Sequence, residues 1–126
     1  MEILPVTALD YDGTAKYSLD QSFPLLSYSK QAYLRNCVDE AIENKLDYRT
    51  LYETDNAGDL KELVLQGLGV AWLPKLLVER EIQENKLKVL DGKQYYLFQD
   101  VYLVKREMSF SNRINYIWNV LIHKNK

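Results

Sequence analysis

The chain has 126 residues, of which 47% are hydrophobic, and its 16 Lys and Arg against 18 Asp and Glu give a net charge of −2. This hydrophobic fraction excludes disordered and fibrous proteins and suffices for the core of one domain. The slight acidity excludes a general attraction to nucleic acid or anionic lipid, because phosphate binding requires clustered Lys and Arg.

The cysteine content and the amino end indicate the compartment. Cys37 is the single cysteine and cannot form an internal disulfide, and unpaired thiols are typical of reducing compartments. Pro5 and Asp10 interrupt the amino end, so no secretory signal is readable. The longest apolar stretch, 64–78, is shorter than the ~20 residues of a membrane span. We therefore expect a cytoplasmic protein that is not inserted in a membrane.

Strands and helices alternate along the first half of the chain. Apolar residues recur every four positions between 30 and 44, which predicts an amphipathic helix with Ser29 at its N-cap. Gly67 follows a second periodic segment and suits the left-handed position that ends a helix. The predicted elements are a strand at 3–6, a loop at 7–22, strands at 23–28 and 48–54, the helix at 30–44, and a second helix between a cap at Asp55 or Asn56 and Gly67.

The second half continues the alternation. Pro74 is predicted to open a helix, because its fixed φ suits the first helical position. The predicted elements are strands at 69–73, 87–90 and 95–105, and helices at 75–84 and 112–122. An order of this kind predicts an α/β layer structure with a largely parallel sheet and right-handed crossovers.

Catalytic and cofactor-binding patterns are missing from the sequence. The only histidine, His123, is the fourth residue counted from the end, and no carboxylates have the spacing of a metal-binding loop. Gly67 and Gly69 begin like a dinucleotide fingerprint, but Trp72 replaces the third glycine and a strand follows where a helix should. We therefore expect no enzyme activity, no cofactor and no metal. Cys37 is interpreted as a small buried hydrophobe, with a redox sensor as the alternative.

Two strand-to-helix junctions are the better candidates for a binding site. Ligands of open α/β sheets bind beyond the carboxyl ends of the strands, where helix N-termini offer unpaired N–H groups. Ser27, Tyr28 and Ser29 lie at the first junction, and Thr54 lies at the second. The alternative is helix capping, by Ser29 at the first junction and by a residue after Thr54 at the second. An anionic effector would suit the first junction, whereas Asp55 disfavours one at the second.

The sequence also resembles a known family in three segments, which are 23–28, 52–55 and 60–74. In this order and spacing they resemble the carboxy-terminal half of the effector-binding (substrate-binding) domain of LysR-type transcriptional regulators. The stretch 64–74 is the most specific, and Ala71-Trp-Leu-Pro74 is most similar to the hypochlorite-responsive members. The likeness covers nearly the whole chain.

The resemblance implies a fold similar to the type II periplasmic binding proteins, in which two α/β lobes enclose a small effector in a cleft. Residues 1–105 would be the second lobe, with hinge strands near 3–6 and 96–105, and 106–126 would add a helix of the first lobe. The family's winged helix-turn-helix is not encoded here, so we expect a fragment that reaches DNA only through the missing amino-terminal domain.

The resemblance also implies partners and contacts. Ser27, with Tyr28, Ser29 and Thr54, would contact the effector in the cleft. The helix at 30–44 would lie against the other subunit of a homodimer or higher oligomer. The alternative is a solute-binding lobe of a transport-type protein, against which the missing signal and the free Cys37 argue.

Overall fold

The computed structural model describes residues 1–98. The remainder of the predicted strand to residue 105, the predicted helix at 112–122, and His123 lie outside the described residues. The strands are β1 (Glu2–Ala8), β2 (Phe23–Tyr28), β3 (Tyr48–Thr54), β4 (Ala71–Pro74), β5 (Leu87–Val89) and β6 (Leu97–Phe98). The helices are α1 (Tyr33–Ile42), α2 (Ala57–Leu65) and α3 (Lys75–Gln83), and a 3-10 turn at Lys93–Tyr95 precedes β6. Among these described helices, none is long and apolar enough to cross a membrane.

The sheet is organised around β1. This strand pairs antiparallel with β4 on one side and with β5 and β6 on the other. β2 and β3 pair in parallel, and a parallel bridge between Leu25 and Val70 connects β2 to the start of β4. In the described part of the sheet, β2 to β6 therefore run in one direction and β1 runs in the other. The predicted α/β class and the mixed, mostly parallel sheet are both confirmed.

The close contact between β2 and the segment before β4 depends on Gly69. A Cβ placed on Gly69 would lie 2.6 Å from the carbonyl oxygen of Pro24, which is far inside van der Waals contact. Without that atom, Val70 N–H donates to Pro24 O at 2.9 Å and Leu26 N–H donates to Val70 O at 2.8 Å. Gly69 therefore has the structural role that the sequence favoured over phosphate binding.

Helix α2 ends as predicted. Gly67 adopts φ +81°, which a residue without Cβ takes at no steric cost. Its N–H donates to Val64 O at 2.9 Å, and Leu68 N–H donates to Leu63 O at 3.2 Å, which is the paired pattern of a left-handed helix end. The buried residues of this helix, Leu60 and Val64, are among those that the periodicity predicted.

The start of α1 differs from the prediction. Ala32, not Ser29, is the N-cap residue, and no side chain caps this helix. Ala32 N–H donates to Ser29 O at 2.9 Å, so a turn separates β2 from α1 and displaces the helix start by three residues. Tyr33, the first residue of α1, was predicted among the recurring apolar positions but is 69% exposed. Cys37 was interpreted as buried but is only partly buried.

Two further boundaries differ. β1 extends to Ala8 rather than ending at residue 6, because Thr7 and Ala8 gain β5 as a partner. Pro74 closes β4 and is the N-cap of α3, whereas the sequence predicted it as the first helical residue. Its φ of −56° is compatible with both positions, so the proline ring alone did not decide between them.

Candidate functional site

The ends of β2, β3, β4 and β6 form one side of the sheet, here called the carboxyl edge. Tyr28 and Thr54 are paired as the last residues of β2 and β3, and Ser29 N–H donates to Thr54 O at 3.0 Å. At the amino end of β1, Ile3 pairs with the last residue of β4 on one side and with Leu97 of β6 on the other. The four predicted site residues therefore lie together at this edge.

Ser27 differs from the other three in having a buried side-chain oxygen without a partner among the described residues. Its side chain is 2% exposed, and its Oγ is buried without a hydrogen-bond partner among residues 1–98. Such groups are uncommon, because a buried hydroxyl that makes no hydrogen bond costs about 1–3 kcal/mol. The Ser27 hydroxyl is thus a donor and acceptor that the described part of the fold does not employ.

Both the side-chain hydroxyl and the backbone carbonyl of Tyr28 are hydrogen-bonded. The phenol is 3% exposed and donates to Trp72 O at 2.8 Å. Burial raises the pKa of Tyr28 far above its usual value, so the hydroxyl keeps its proton. The backbone carbonyl accepts from Arg35 Nη1 at 2.9 Å. Since its single O–H is already donated, Tyr28 shapes the edge rather than offering a free donor.

Arg35 is the residue at this edge that sequence reasoning missed as part of the site. Its Nη1 reaches Glu53 Oε2 at 2.9 Å as well as Tyr28 O, and its Nε bonds Asp39 Oδ2 at 2.8 Å. One side chain therefore fastens α1 to the ends of β2 and β3. The four-residue spacing from Arg35 to Asp39 could have indicated that pair, whereas Glu53 is 18 residues away and becomes a partner only through the parallel pairing.

The second junction satisfies its own polar groups. The Thr54 hydroxyl donates to Asp59 Oδ2 at 3.3 Å and accepts from Asn56 N–H at 3.3 Å. Asn56 Oδ1 accepts from Gly58 N–H at 2.7 Å and is the N-cap of α2, which confirms one of the two predicted caps. Asp55 is exposed and is not the N-cap residue.

The first junction is the better place for an anion or another hydrogen-bond acceptor. The first turn of α1 has neither a side-chain cap nor an acidic residue, whereas α2 has Asp59 in its first turn. Uncapped N–H groups and the positive end of the helix dipole attract negative charge. Within residues 1–98, no group of three or more His, Cys, Asp or Glu side chains could hold a metal ion.

Residues 18–122 match the family model of the LysR substrate binding domain. The HTH-type transcriptional regulator YjiE of Escherichia coli K12 is 34% identical over 93 residues, which cover 71% of this chain and 31% of that protein. QseD, an HTH domain-truncated transcriptional regulator of Escherichia coli O157:H7, is 33% identical over 93 residues, or 71% of this chain and 38% of QseD. The chain thus spans about a third of these relatives.

Among solved structures, the regulatory domain of the HypT M206Q mutant from Salmonella typhimurium matches with a TM-score of 0.74 and 25% identity. The match covers 93% of this chain and 72% of that domain. HypT is itself a hypochlorite-specific LysR-type transcriptional regulator, which agrees with the subgroup whose likeness the sequence indicated. These three relatives are transcriptional regulators, and none is a transport protein. The chain belongs to the LysR substrate-binding domain family and is part of the effector-binding domain of a LysR-type regulator.

Proposed function

We propose that this effector-binding domain binds a small anionic molecule at the carboxyl edge, beside the start of α1. The observation that carries the proposal is the buried Ser27 hydroxyl, which has no partner in the described part of the chain. The N-terminus of α1 supports it, since no side chain there competes with a ligand for the N–H groups.

The four predicted residues would then have different roles. Ser27 would bond the ligand through its hydroxyl, and Ser29, which is partly exposed, would line the site. Tyr28 and Thr54 would position the strand ends, since their hydroxyls are already hydrogen-bonded within the protein. Ser27 and Ser29 would then contact the effector directly, whereas the sequence predicted contacts from all four residues.

The setting of the domain is part of the same proposal. The chain would serve a cytoplasmic, DNA-binding regulator that acts as a homodimer or higher oligomer, has no catalytic activity and needs no cofactor. DNA would be contacted by a winged helix-turn-helix domain outside this sequence, as the likeness to the HTH-type regulator YjiE supports. Residues 1–105 would form the second lobe with its two hinge strands, and 106–126 would belong to the first lobe.

The test is a thermal-shift titration of the 126-residue chain with sodium pyruvate, succinate, citrate and phosphate at matched ionic strength. A ligand that binds only the native state raises the melting temperature with its concentration. We expect at least one of these anions to raise the melting temperature. Ser27→Ala should weaken the apparent affinity for that anion by about tenfold, as expected for a lost hydrogen bond to a charged group.

Ser22→Ala is the matched control, because Ser22 is an exposed serine just before β2. It should leave the titration unchanged. Ser27→Ala itself should change the free energy of unfolding by less than about 1 kcal/mol, since its hydroxyl has no partner to lose. Equal shifts for Ser27→Ala and the unaltered chain, or no shift with any of the four anions, would contradict the proposal.

A further inference from the structure

Two hydrogen bonds, one buried and one partly buried, meet at Trp72 in the middle of β4. The Tyr28 hydroxyl donates to the backbone oxygen of Trp72 at 2.8 Å, and the Trp72 indole N–H donates to the backbone oxygen of Tyr95 at 2.8 Å. Trp72 is 1% exposed and Tyr28 is 3% exposed. The last residue of β2 is thereby connected, through β4, to the 3-10 turn that precedes β6.

The far end of this connection lies beside the pairing of β6 with β1. Tyr95 ends the 3-10 turn, and two residues later Leu97 pairs with Ile3. The neighbouring Tyr96 is held separately, because its hydroxyl donates to Leu90 O at 2.7 Å. Tyr95 thus lies two residues before Leu97, so a shift of the 3-10 turn would act directly on this pairing.

The near end of the connection lies at the carboxyl edge. Tyr28 follows Ser27 directly, and its carbonyl accepts from Arg35, which also binds β3 through Glu53. A phenol and an indole each have a single polar hydrogen, so moving either donor takes a hydrogen bond away from a carbonyl oxygen, that of Trp72 in the interior or that of the partly buried Tyr95. In a water-poor interior an unpaired carbonyl is unfavourable, and the two bonds therefore resist independent displacement.

We propose that Trp72 is a positioning residue that couples Tyr28, at the end of β2, to the placement of Tyr95 and the pairing of β6 with β1. The connection gives the carboxyl edge a direct route to a strand at the centre of the sheet. Its use in signalling rests on the proposed function, because a ligand beside Ser27 would act on Tyr28. The coupling itself requires no ligand.

Amide hydrogen exchange of the 126-residue chain, without ligand, tests the coupling. Tyr28→Phe deletes only the hydroxyl oxygen, whose described hydrogen bond is to Trp72 O, and leaves the atoms of the Trp72–Tyr95 bond unaltered. We expect exchange of a peptide covering 93–98 to accelerate about fivefold, which corresponds to the loss of one net hydrogen bond. Trp72→Phe should accelerate the same peptide, and the double variant should add little to either single change.

Tyr17→Phe is the matched control, because the Tyr17 hydroxyl also donates to a backbone oxygen, that of Gly67 at 3.4 Å, at the far end of α2. It should leave 93–98 unchanged, and all variants should leave α3 unchanged. The proposal is overturned if Tyr28→Phe leaves 93–98 at the original rate, or if it accelerates 93–98 and α3 equally, which would indicate global unfolding. Should Trp72→Phe fail to fold, Tyr28→Phe alone decides. Because no anion is added, this outcome is independent of the titration that tests ligand binding.

Discussion

The two strand-to-helix junctions, β2 to α1 and β3 to α2, have similar residues. They differ in whether their polar side chains are hydrogen-bonded within the described structure. Hydroxyl residues occupy the strand end in both. At the second junction Thr54 and Asn56 satisfy the start of α2, and at the first no side chain caps α1 while the Ser27 hydroxyl is buried without a partner in residues 1–98.

The difference shows that a hydroxyl at a strand end has no fixed role. Thr54 is followed within two residues by the N-cap, so its oxygen lies close to the first N–H groups of α2. Ser27 is followed by a turn that moves the N-cap of α1 five residues away, beyond the reach of its short side chain. The number of residues between strand and helix therefore decides which hydroxyl is hydrogen-bonded at the start of a helix and which remains available.

Ser27→Asp should break the first junction most severely. A carboxylate at a position that is 2% exposed lowers the free energy of unfolding by ~3 kcal/mol or more, because Arg35 at the same edge is already paired with Asp39 and Glu53. The first effect of Ser27→Asp is therefore on stability. Weaker anion binding by this variant would not by itself demonstrate charge repulsion. Chemical denaturation at neutral pH measures the loss.

The loss in the free energy of unfolding caused by Ser27→Asp should be smaller at low pH. Burial raises the folded-state pKa of the new carboxyl above its unfolded value, so protonation on acidification favours the folded state and removes part of the penalty. Ser29→Asp is the matched control, because Ser29 is partly exposed and lies near the positive end of α1. A Ser27→Asp variant as stable as Ser29→Asp would contradict the buried position of the hydroxyl.

Asn56→Ala should break the second junction by a smaller amount. The substitution removes the oxygen that accepts from Gly58 N–H, and loss of such a cap lowers the free energy of unfolding by about 1 kcal/mol. Asp55→Ala is the control, since Asp55 is exposed and is not the cap. If urea denaturation gave the same midpoint for both variants, Asn56 would not be the functional cap of α2.

Ala32→Ser should make the first junction resemble the second. Ala32 has the extended backbone of an N-cap residue, with φ −77° and ψ 139°, but lacks an oxygen. A serine there should add up to about 1 kcal/mol of stability and, by competing for the N–H groups of α1, weaken anion binding. Gln31→Ser, one position earlier, should do neither, and equal melting temperatures for the two variants would argue against Ala32 as the capping position.

Local sequence patterns predicted most of the fold. β2 and β3 have the predicted bounds, because their apolar and branched runs are closed by polar junctions. Gly67 was assigned correctly and Asn56 was one of the two predicted caps, since both ends of α2 are set by adjacent residues. The direction of β1 could not be read locally, because its antiparallel partners begin at Ala71, Leu87 and Leu97, far along the chain from the start of β1 at Glu2.

The site was only partly predictable. The strand ends indicated where Ser27, Tyr28, Ser29 and Thr54 would gather, and the structure places them at one edge. Their partners were not predictable, because the Trp72 carbonyl that accepts from Tyr28 is 44 residues away. Arg35 likewise acquires two of its three partners, Tyr28 and Glu53, through the arrangement of the sheet.

The central position of β1 has a consequence for how the domain forms. Every described strand that pairs with β1 lies between residues 71 and 98, so a ribosome must synthesise most of this chain before β1 can pair with them. Contacts this distant in sequence slow folding, because the long loops between them must close before the pairing stabilises anything. During synthesis, the apolar residues of β1 therefore remain without their sheet partners, and we expect this interval to be when the nascent domain is most prone to aggregate.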